Sequence, residues 1–200
     1  MDNINVRTWD SVYSEGRSLL IWPDETVVSS LNRHKGKLKT GIDLACGAGR
    51  HAILMAQMGM ESVGVDSSKA SIEFAKRRAA ELDLKKIHFI NSLVQNVEYE
   101  KESFDLIIAW GLIHYLDAED QKRVLDKVSS ILKPGGLFLL TLRSTKDSRK
   151  NSEREIEENR YLVDYFDKGT NKVKQTKMYF WDEQGVQKLL HDFSNVQLGH

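Results

Sequence analysis

Cysteine is almost missing from this 200-residue sequence, proline occurs twice, and neither sign of charge predominates, 29 basic residues facing 29 acidic ones. The lone Cys46 excludes an intramolecular disulfide and a cysteine-built zinc site, and fits a reducing compartment. Zero formal net charge excludes the basic excess typical of nucleic-acid and anionic-membrane binders. No apolar run approaches the ~20 residues of a transmembrane helix. Met1-Asp2-Asn3-Ile4-Asn5 lacks the basic-then-apolar layout of a signal peptide. Internal repeats and low-complexity tracts are absent as well. The expectation is one soluble, cytoplasmic domain, within the usual range of roughly 100–200 residues, with no metal, nucleic-acid or membrane partner.

What is present falls into three parts. Residues 1–39 form a leader in which Trp9, Val12 and Tyr13, and later Val27, Val28 and Leu31, stand at helical spacing. Pro23 suits the first turn of the second helix, and Gly16 to Trp22 reads as a loop. The aromatics Trp9, Tyr13 and Trp22 either anchor these helices to the body or make them a lid. His34 to Lys39 is a solvated basic connection.

Residues 40–142 alternate strand and helix. Strands are expected at Gly41–Ala45, Glu61–Val65, Ile87–Ile90, Phe104–Ala109 and Leu137–Leu142. The first helix runs from Arg50 to Met58 and closes at Gly59. The second is capped by Ser67 or Ser68 and has one face of Ile72, Ala75, Ala79 and Leu82. The third is capped by Asp117, carries Val124, Leu125, Val128, Ile131 and Leu132, and stops at Lys133-Pro134-Gly135-Gly136. This alternation predicts right-handed crossovers and a parallel sheet covered on both faces, with ligands beyond the carboxyl ends of its strands. Residues 143–200 hold a polar, solvated excursion (144–169) with a helical patch at Glu153–Glu158. They continue with an extended stretch from Lys172 to Trp181, a helix capped by Asp182 with Val186, Leu189 and Leu190 on one face, and a short strand at Asn195–Leu198.

Chemistry concentrates after the first strand. Gly47-Ala48-Gly49-Arg50-His51-Ala52 fits the loose pattern G-x-G-x-x-G/A, in which glycines admit a ligand to the backbone and a helix N-terminus offers unpaired N–H groups. Taken alone, the pattern also describes an ordinary tight strand–helix turn. Asp43 lies inside the strand, where it can order the turn through backbone N–H groups or meet a ligand's ammonium group. Asp66 closes the neighbouring strand, where a carboxylate can accept both hydroxyl protons of a ribose or cap a helix.

Asp43 through Arg50, Gly64-Val65-Asp66-Ser67, Phe104-Asp105-Leu106-Ile107-Ile108 and Leu132-Lys133-Pro134-Gly135-Gly136 follow one another at characteristic spacing. In these motifs the chain resembles the class I S-adenosylmethionine-dependent methyltransferases of small-molecule type, over Thr40 to Leu142. Trp9 to Tyr13 and Trp22-Pro23 resemble the lead-in of such enzymes. Thr141 to Thr145 resembles a bacterial subgroup tied to sugar pathways. The resemblance implies an α/β, Rossmann-like three-layer sandwich with a mostly parallel sheet and an N-terminal helical lid. The family's final antiparallel strand is expected to be missing, because the sixth would be Asn195–Leu198 and nothing remains for the seventh. Either the chain is cut short, or Lys172–Phe180 supplies a substitute.

The same resemblance implies cofactor contacts. Asp43, Ala45, Cys46, Gly47, Gly49 and Arg50 hold the methionine end of S-adenosylmethionine, Asp66 the ribose and Ser67 the adenine. Cys46 acts there by packing. Arg50 pairs with the methionine carboxylate, or with Asp43 or another acid. Leu93 stands where the family usually has an aspartate, so the adenine contact must come from backbone around Ser92 and Leu93, or from Asn91 or Gln95. Tyr13 joins the cofactor set. Trp110 walls the sulfonium, and Trp22, His114 and Tyr115 face the acceptor. His114, with an ordinary pKa near ~6.5, is the candidate base. Its alternative role is structural, hydrogen-bonded beneath a helix start. The implied reaction is in-line transfer to a small-molecule acceptor, leaving S-adenosylhomocysteine. A nicotinamide-dependent oxidoreductase with the same turn and a non-catalytic cofactor-binding module are the alternatives.

Overall fold

The computed structural model describes residues 4–167 and 171–199. The expected absence of a signal peptide rests partly on Met1, Asp2 and Asn3, which, like the end of the expected excursion at 168–169, lie outside the described residues. Five strands, β1 (Thr40–Leu44), β2 (Glu61–Asp66), β3 (Ile87–Asn91), β4 (Phe104–Ala109) and β5 (Leu132–Leu140), form a sheet in the order β3-β2-β1-β4-β5, every pair parallel. Parallel strands buried on both faces read as near-continuous apolar runs, and successive side chains divide between the faces. Ile42, Leu44, Ile107 and Ala109 accordingly point to one core, shared with Val124, Val128 and Ile131 of α5 (Ala118–Ile131) and Val186 of α6 (Glu183–Leu189). Leu106 and Ile108 point to the other. There they meet α2 (Glu25–Arg33) through Val27 and Leu31, α3 (Arg50–Gln57) through Ala52, Ile53 and Met55, and α4 (Lys69–Glu81) through Ile72 and Ala75. The three layers are as expected.

Helix starts follow their caps. Asp24 accepts from Thr26 N at 3.0 Å, Ser68 from Ser71 N at 3.5 Å, Asp117 from Asp120 N at 2.9 Å and Asp182 from Gly185 N at 2.8 Å. Pro23 therefore precedes the cap of α2 and is not in its first turn. Leu82 is exposed and does not share the buried face of α4, because the helix has ended at Glu81. The fifth strand begins earlier than expected. Leu132 pairs with Phe104, the Lys133–Gly136 turn bulges out of the ladder with Gly135 at φ +74°, and pairing resumes at Leu106–Leu137.

The C-terminal part departs most. The stretch expected as a solvated excursion builds β6 (Glu155–Glu157) and β7 (Arg160–Asp167), which join β8 (Lys172–Tyr179) in a separate antiparallel sheet ordered β6-β7-β8. The charged patch at Glu153–Glu158 is one turn of 3-10 helix, Ser152–Arg154, followed by β6, and is not an α-helix. Lys172–Phe180 is extended, but it pairs with β7 and not with β5. Tyr161, Val163, Met178 and Phe180 bury one face of this sheet together with Tyr115. Asn195–Leu198 is not a strand. After β8 the chain returns to the exit of β5, where Trp181 N donates to Arg143 O at 2.8 Å. Helix α1 (Ile4–Ser14) lies along β8 and roofs the carboxyl ends of the parallel strands.

Candidate functional site

Between α1 and the ends of β1, β2, β4 and β5 lies a cavity of about 580 Å³. Its floor is the turn after β1, where Ala45, Gly47 and Gly49 all have left-handed backbone, at φ +58°, +53° and +78°. A Cβ at Gly47 would stand 2.6 Å from the Tyr13 hydroxyl, and one at Gly49 2.8 Å from the Phe89 ring. Gly47 thus lets the roof come down onto the turn, while Gly49 lets α3 seat on the core. Gly49 is also the N-cap of α3 and supplies no side-chain cap; in the first turn the Ala52 N–H serves the buried Asp43.

Asp66 clamps this turn. Its Oδ2 accepts from Gly47 N at 2.8 Å and its Oδ1 from Ser68 N at 2.9 Å. Burial pushes its pKa up, and the Ser68 and Gly47 N–H groups oppose that. Asn91 holds the end of β2 from behind, donating to Asp66 O at 3.0 Å and Ser67 O at 2.9 Å. Leu93 and Gln95 reach the cavity, whereas Ser92 does not line it and instead closes the local turn through Ser92 N to Asp66 O. Tyr13 hangs from α1 above Gly47, and burial followed by the Asp66 charge pushes its pKa up.

Asp43 lies beneath the turn, wholly buried and out of the lining. Its Oδ2 has no hydrogen-bond partner, and burial pushes its pKa up to about 8 against the pull of Arg50. The nearest cation-forming group is His51 Nδ1, at 3.9 Å. His51 Nε2 accepts from Asp24 N at 3.2 Å, which assigns the ring proton to Nδ1, facing Asp43. Burial holds the His51 pKa down to about 3, so this is a neutral imidazole. Sequence reasoning missed His51, although its place two residues after Gly49, in the first turn of α3, was available as a signal. Arg50 faces the cavity but gives Nη1 to Trp22 O at 3.1 Å and not to Asp43.

The far half of the cavity is built by the exits of β4 and β5. Trp110, Gly111, Leu112, His114, Tyr115, Leu116, Thr141, Leu142 and Arg143 line it, with Asn5, Val6 and Trp9 above. Gln121 on α5 locks the turn that carries His114, donating to Ile113 O at 3.3 Å and Leu116 O at 3.1 Å. His114 is fully buried, and neither ring nitrogen makes a well-formed hydrogen bond, although the Thr141 backbone acts on the ring as an acceptor. Burial, then the Arg143 guanidinium, bring its pKa down to about 3. Trp9 meets Tyr115 edge-on with ring centroids 5.6 Å apart and Tyr13 at 5.9 Å; His51 meets Trp110 edge-on at 5.9 Å. Trp22 does not join them. Its indole is 79% exposed and outside the lining, because only its carbonyl is tied down. Cys46 lines the floor as a buried thiol. Asn5, Thr141 and Arg143 are further lining residues that sequence reasoning did not single out.

A family model described as "Methyltransferase domain" matches residues 35–190. The chain belongs to the class I S-adenosylmethionine-dependent methyltransferases. This methyltransferase domain is 33% identical over 119 residues to the probable S-adenosylmethionine-dependent methyltransferase CRG1 of Saccharomyces cerevisiae, covering 58% of the chain and 40% of that protein. It is 28% identical over 162 residues to the ubiquinone biosynthesis O-methyltransferase of Coxiella burnetii, covering 77% and 65%. The domain spans about half the length of the curated relatives it matches. Among solved structures, a SAM-dependent methyltransferase of Methanosarcina mazei has the same fold, with a TM-score of 0.68 at 20% identity over 82% of each chain. No helix of the described residues is long and apolar enough to cross a membrane.

Proposed function

We propose that the chain transfers the methyl group of S-adenosylmethionine to a small-molecule acceptor. The observation that carries this reading is the Asp66 clamp: one buried carboxylate at the end of β2 fastens the glycine turn and keeps lone pairs facing a roofed cavity. The site fits the cofactor on further grounds. Ala45, Cys46, Gly47, Asp66 and Ser67 line the cavity side by side, and the floor at Gly47 admits no side chain. In this reading Asp66 takes the ribose hydroxyls, Ser67, Leu93 and Gln95 border the adenine, and Ala45, Cys46, Gly47 and Arg50 border the methionine end. Asp43 and Gly49 act from beneath. When bound, the cofactor supplies an electrophilic methyl group on a positively charged sulfur.

The chain's own contribution is alignment and exclusion of water. Trp9, Tyr13 and Tyr115 close the roof, and Trp110 offers a ring face to positive charge. With a pKa near 3, His114 is a weak base at neutral pH. It serves the acceptor as a neutral hydrogen-bond partner and not as a proton sink. Titration calorimetry with S-adenosylhomocysteine and with NAD tests the reading. Binding of the first alone is expected, and binding of NAD alone would overturn it. A product-coupled screen over small acids, amines, thiols and nucleotide sugars then separates an enzyme from a cofactor-binding module.

A further inference from the structure

The far half of the cavity is aromatic and aliphatic, and among the described residues Arg143 is its only permanently charged side chain. Its polar groups divide into engaged and unengaged. The Asn5 amide holds backbone, donating to Tyr115 O at 2.6 Å and Lys177 O at 2.9 Å. The Thr141 hydroxyl accepts from Gly111 N at 2.8 Å. His114 is different: both ring nitrogens are buried without a hydrogen bond of good geometry, the Thr141 backbone being the one acceptor that acts on the ring. So is Arg143, whose Nε is buried and unpartnered.

The charge balance points the same way. Arg143 Nη1 is 3.9 Å from Asp147, but that carboxylate accepts a 2.8 Å bond from Arg149 Nε and a further one from Arg149 Nη2. One carboxylate serves two guanidinium groups, which leaves this corner of the cavity with one positive charge in excess. Both arginines contribute to holding the His114 pKa down.

We propose that Arg143 and His114 form the recognition site for an acidic acceptor, a small molecule with an apolar body whose carboxylate pairs with the Arg143 guanidinium. A buried guanidinium N–H without an acceptor is costly, and a carboxylate satisfies it with the strongest and most directional bond open to it. A cationic acceptor meets the positive excess directly, and a neutral one leaves it to the water that reaches the 36% exposed side chain. His114 Nδ1 or Nε2 then takes a hydroxyl of the same molecule, and the walls of Trp9, Tyr115 and Leu116 cover its apolar part. This inference rests on the methyltransferase reading.

The test uses the full chain saturated with S-adenosylhomocysteine. Mandelate, 3-hydroxybutyrate, salicylate and 4-hydroxybenzoate are titrated, each beside its own amide. At least one acid is expected to bind more tightly than its amide by about tenfold, the scale of one charge-assisted bond. R143Q should abolish that preference and keep its affinity for S-adenosylhomocysteine within about twofold, with R143K intermediate. Amides binding as well as acids, a preference that survives R143Q, or no acid bound at all overturns the proposal. If S-adenosylhomocysteine itself does not bind, the methyltransferase reading fails first, and that failure registers in the first titration before any acid is added. Thermal melts of R143Q and R143K identify a variant that has merely unfolded.

Discussion

Two aspartates one strand apart sit in similar burial and carry opposite instructions. Asp66 has backbone N–H groups on both oxygens, while Asp43 has an oxygen with none. In D66N one carboxamide face turns N–H toward an N–H of Gly47 or Ser68. The variant should lose roughly 1–3 kcal/mol of stability and bind S-adenosylhomocysteine at least about tenfold more weakly, because a neutral amide replaces a charged acceptor. Unchanged affinity by calorimetry would remove Asp66 from the cofactor site. The buried titratable groups make a second prediction. His51 and His114 have pKa values depressed to about 3, so the unfolded chain binds protons that the folded chain refuses below about pH 6.5. Their contribution is complete above pH 6.5 and is lost as the pH falls toward 3. Asp43, raised to about 8, works in reverse: the fold keeps a proton that the unfolded chain releases above about pH 4, so stability drains away as pH rises toward 8. Urea melts of the ligand-free chain between pH 4 and 8 separate these effects. H114Q should flatten the acid limb by about 1.4 kcal/mol per pH unit, and D43N should gain on the parent by a similar slope as pH rises. Parallel curves for parent and variants would refute the assignments.

Elements with local causes were legible in the sequence; those that depend on distant pairing were not. The caps Ser68, Asp117 and Asp182 and the short apolar runs of β1 and β4 act over a few residues, and the helices and parallel strands stand close to where their patterns put them. The antiparallel sheet escaped because its buried set, Tyr161, Val163, Met178 and Phe180, is split between β7 and a strand more than ten residues later. The second half was legible as an extended stretch, but the first, Tyr161-Leu162-Val163, is a short apolar run inside a polar segment and gains a buried face only by pairing with it. The site divided likewise. Asp66 and the glycines declared themselves by motif, whereas His51 and Arg143 acquire meaning only from neighbours that folding brings up, Asp43 and Asp24 for the one and Asp147 and His114 for the other. Gly49 measures how strictly the turn is specified. G49A adds a left-handed alanine, costing roughly 1–2 kcal/mol, and a Cβ 2.8–2.9 Å from Phe89 and Ala75, an overpacking cost of typically 1–3 kcal/mol more. G36A shares the left-handed backbone at φ +79° but meets nothing within 4 Å. Its cost should be the first part alone, and equal losses for the two variants in urea would mean that the core yields to the methyl group.

At the scale of the molecule, the cavity is closed by a roof that belongs to the far end of the chain as much as to the near end. Strand β8 is an edge of its sheet, and an open edge invites pairing with another chain. Here α1 covers it. Asn5 accepts from Lys177 N at 2.9 Å and donates to Lys177 O at 2.9 Å, imitating a neighbouring strand with one side chain, and its bond to Tyr115 O fixes the same helix over the far half of the cavity. Thr8 donates to Gln175 O at 3.2 Å, Lys174 to Ser11 Oγ at 2.9 Å, and Ser68 on the β2 side to Asp10 at 2.9 Å, so α1 is fastened to both walls of the cavity. Asn5 is itself buried and makes three of these bonds. N5A strips partners from the Lys177 peptide and should cost about 1–3 kcal/mol, whereas K174M removes the Lys174 bonds to Ser11 Oγ and Glu15 and should cost no more than about 1 kcal/mol. Because the roof also carries Tyr13 over Gly47, loosening it must reach the cofactor. N5A is expected to speed amide hydrogen exchange in α1 and along β8 together, and to weaken S-adenosylhomocysteine binding by about tenfold, the equivalent of roughly 1.4 kcal/mol. With cofactor bound, exchange in α1 should slow more than exchange in α5 on the opposite face. Faster exchange in N5A with undiminished affinity would mean that the roof covers the site without contributing to its closure.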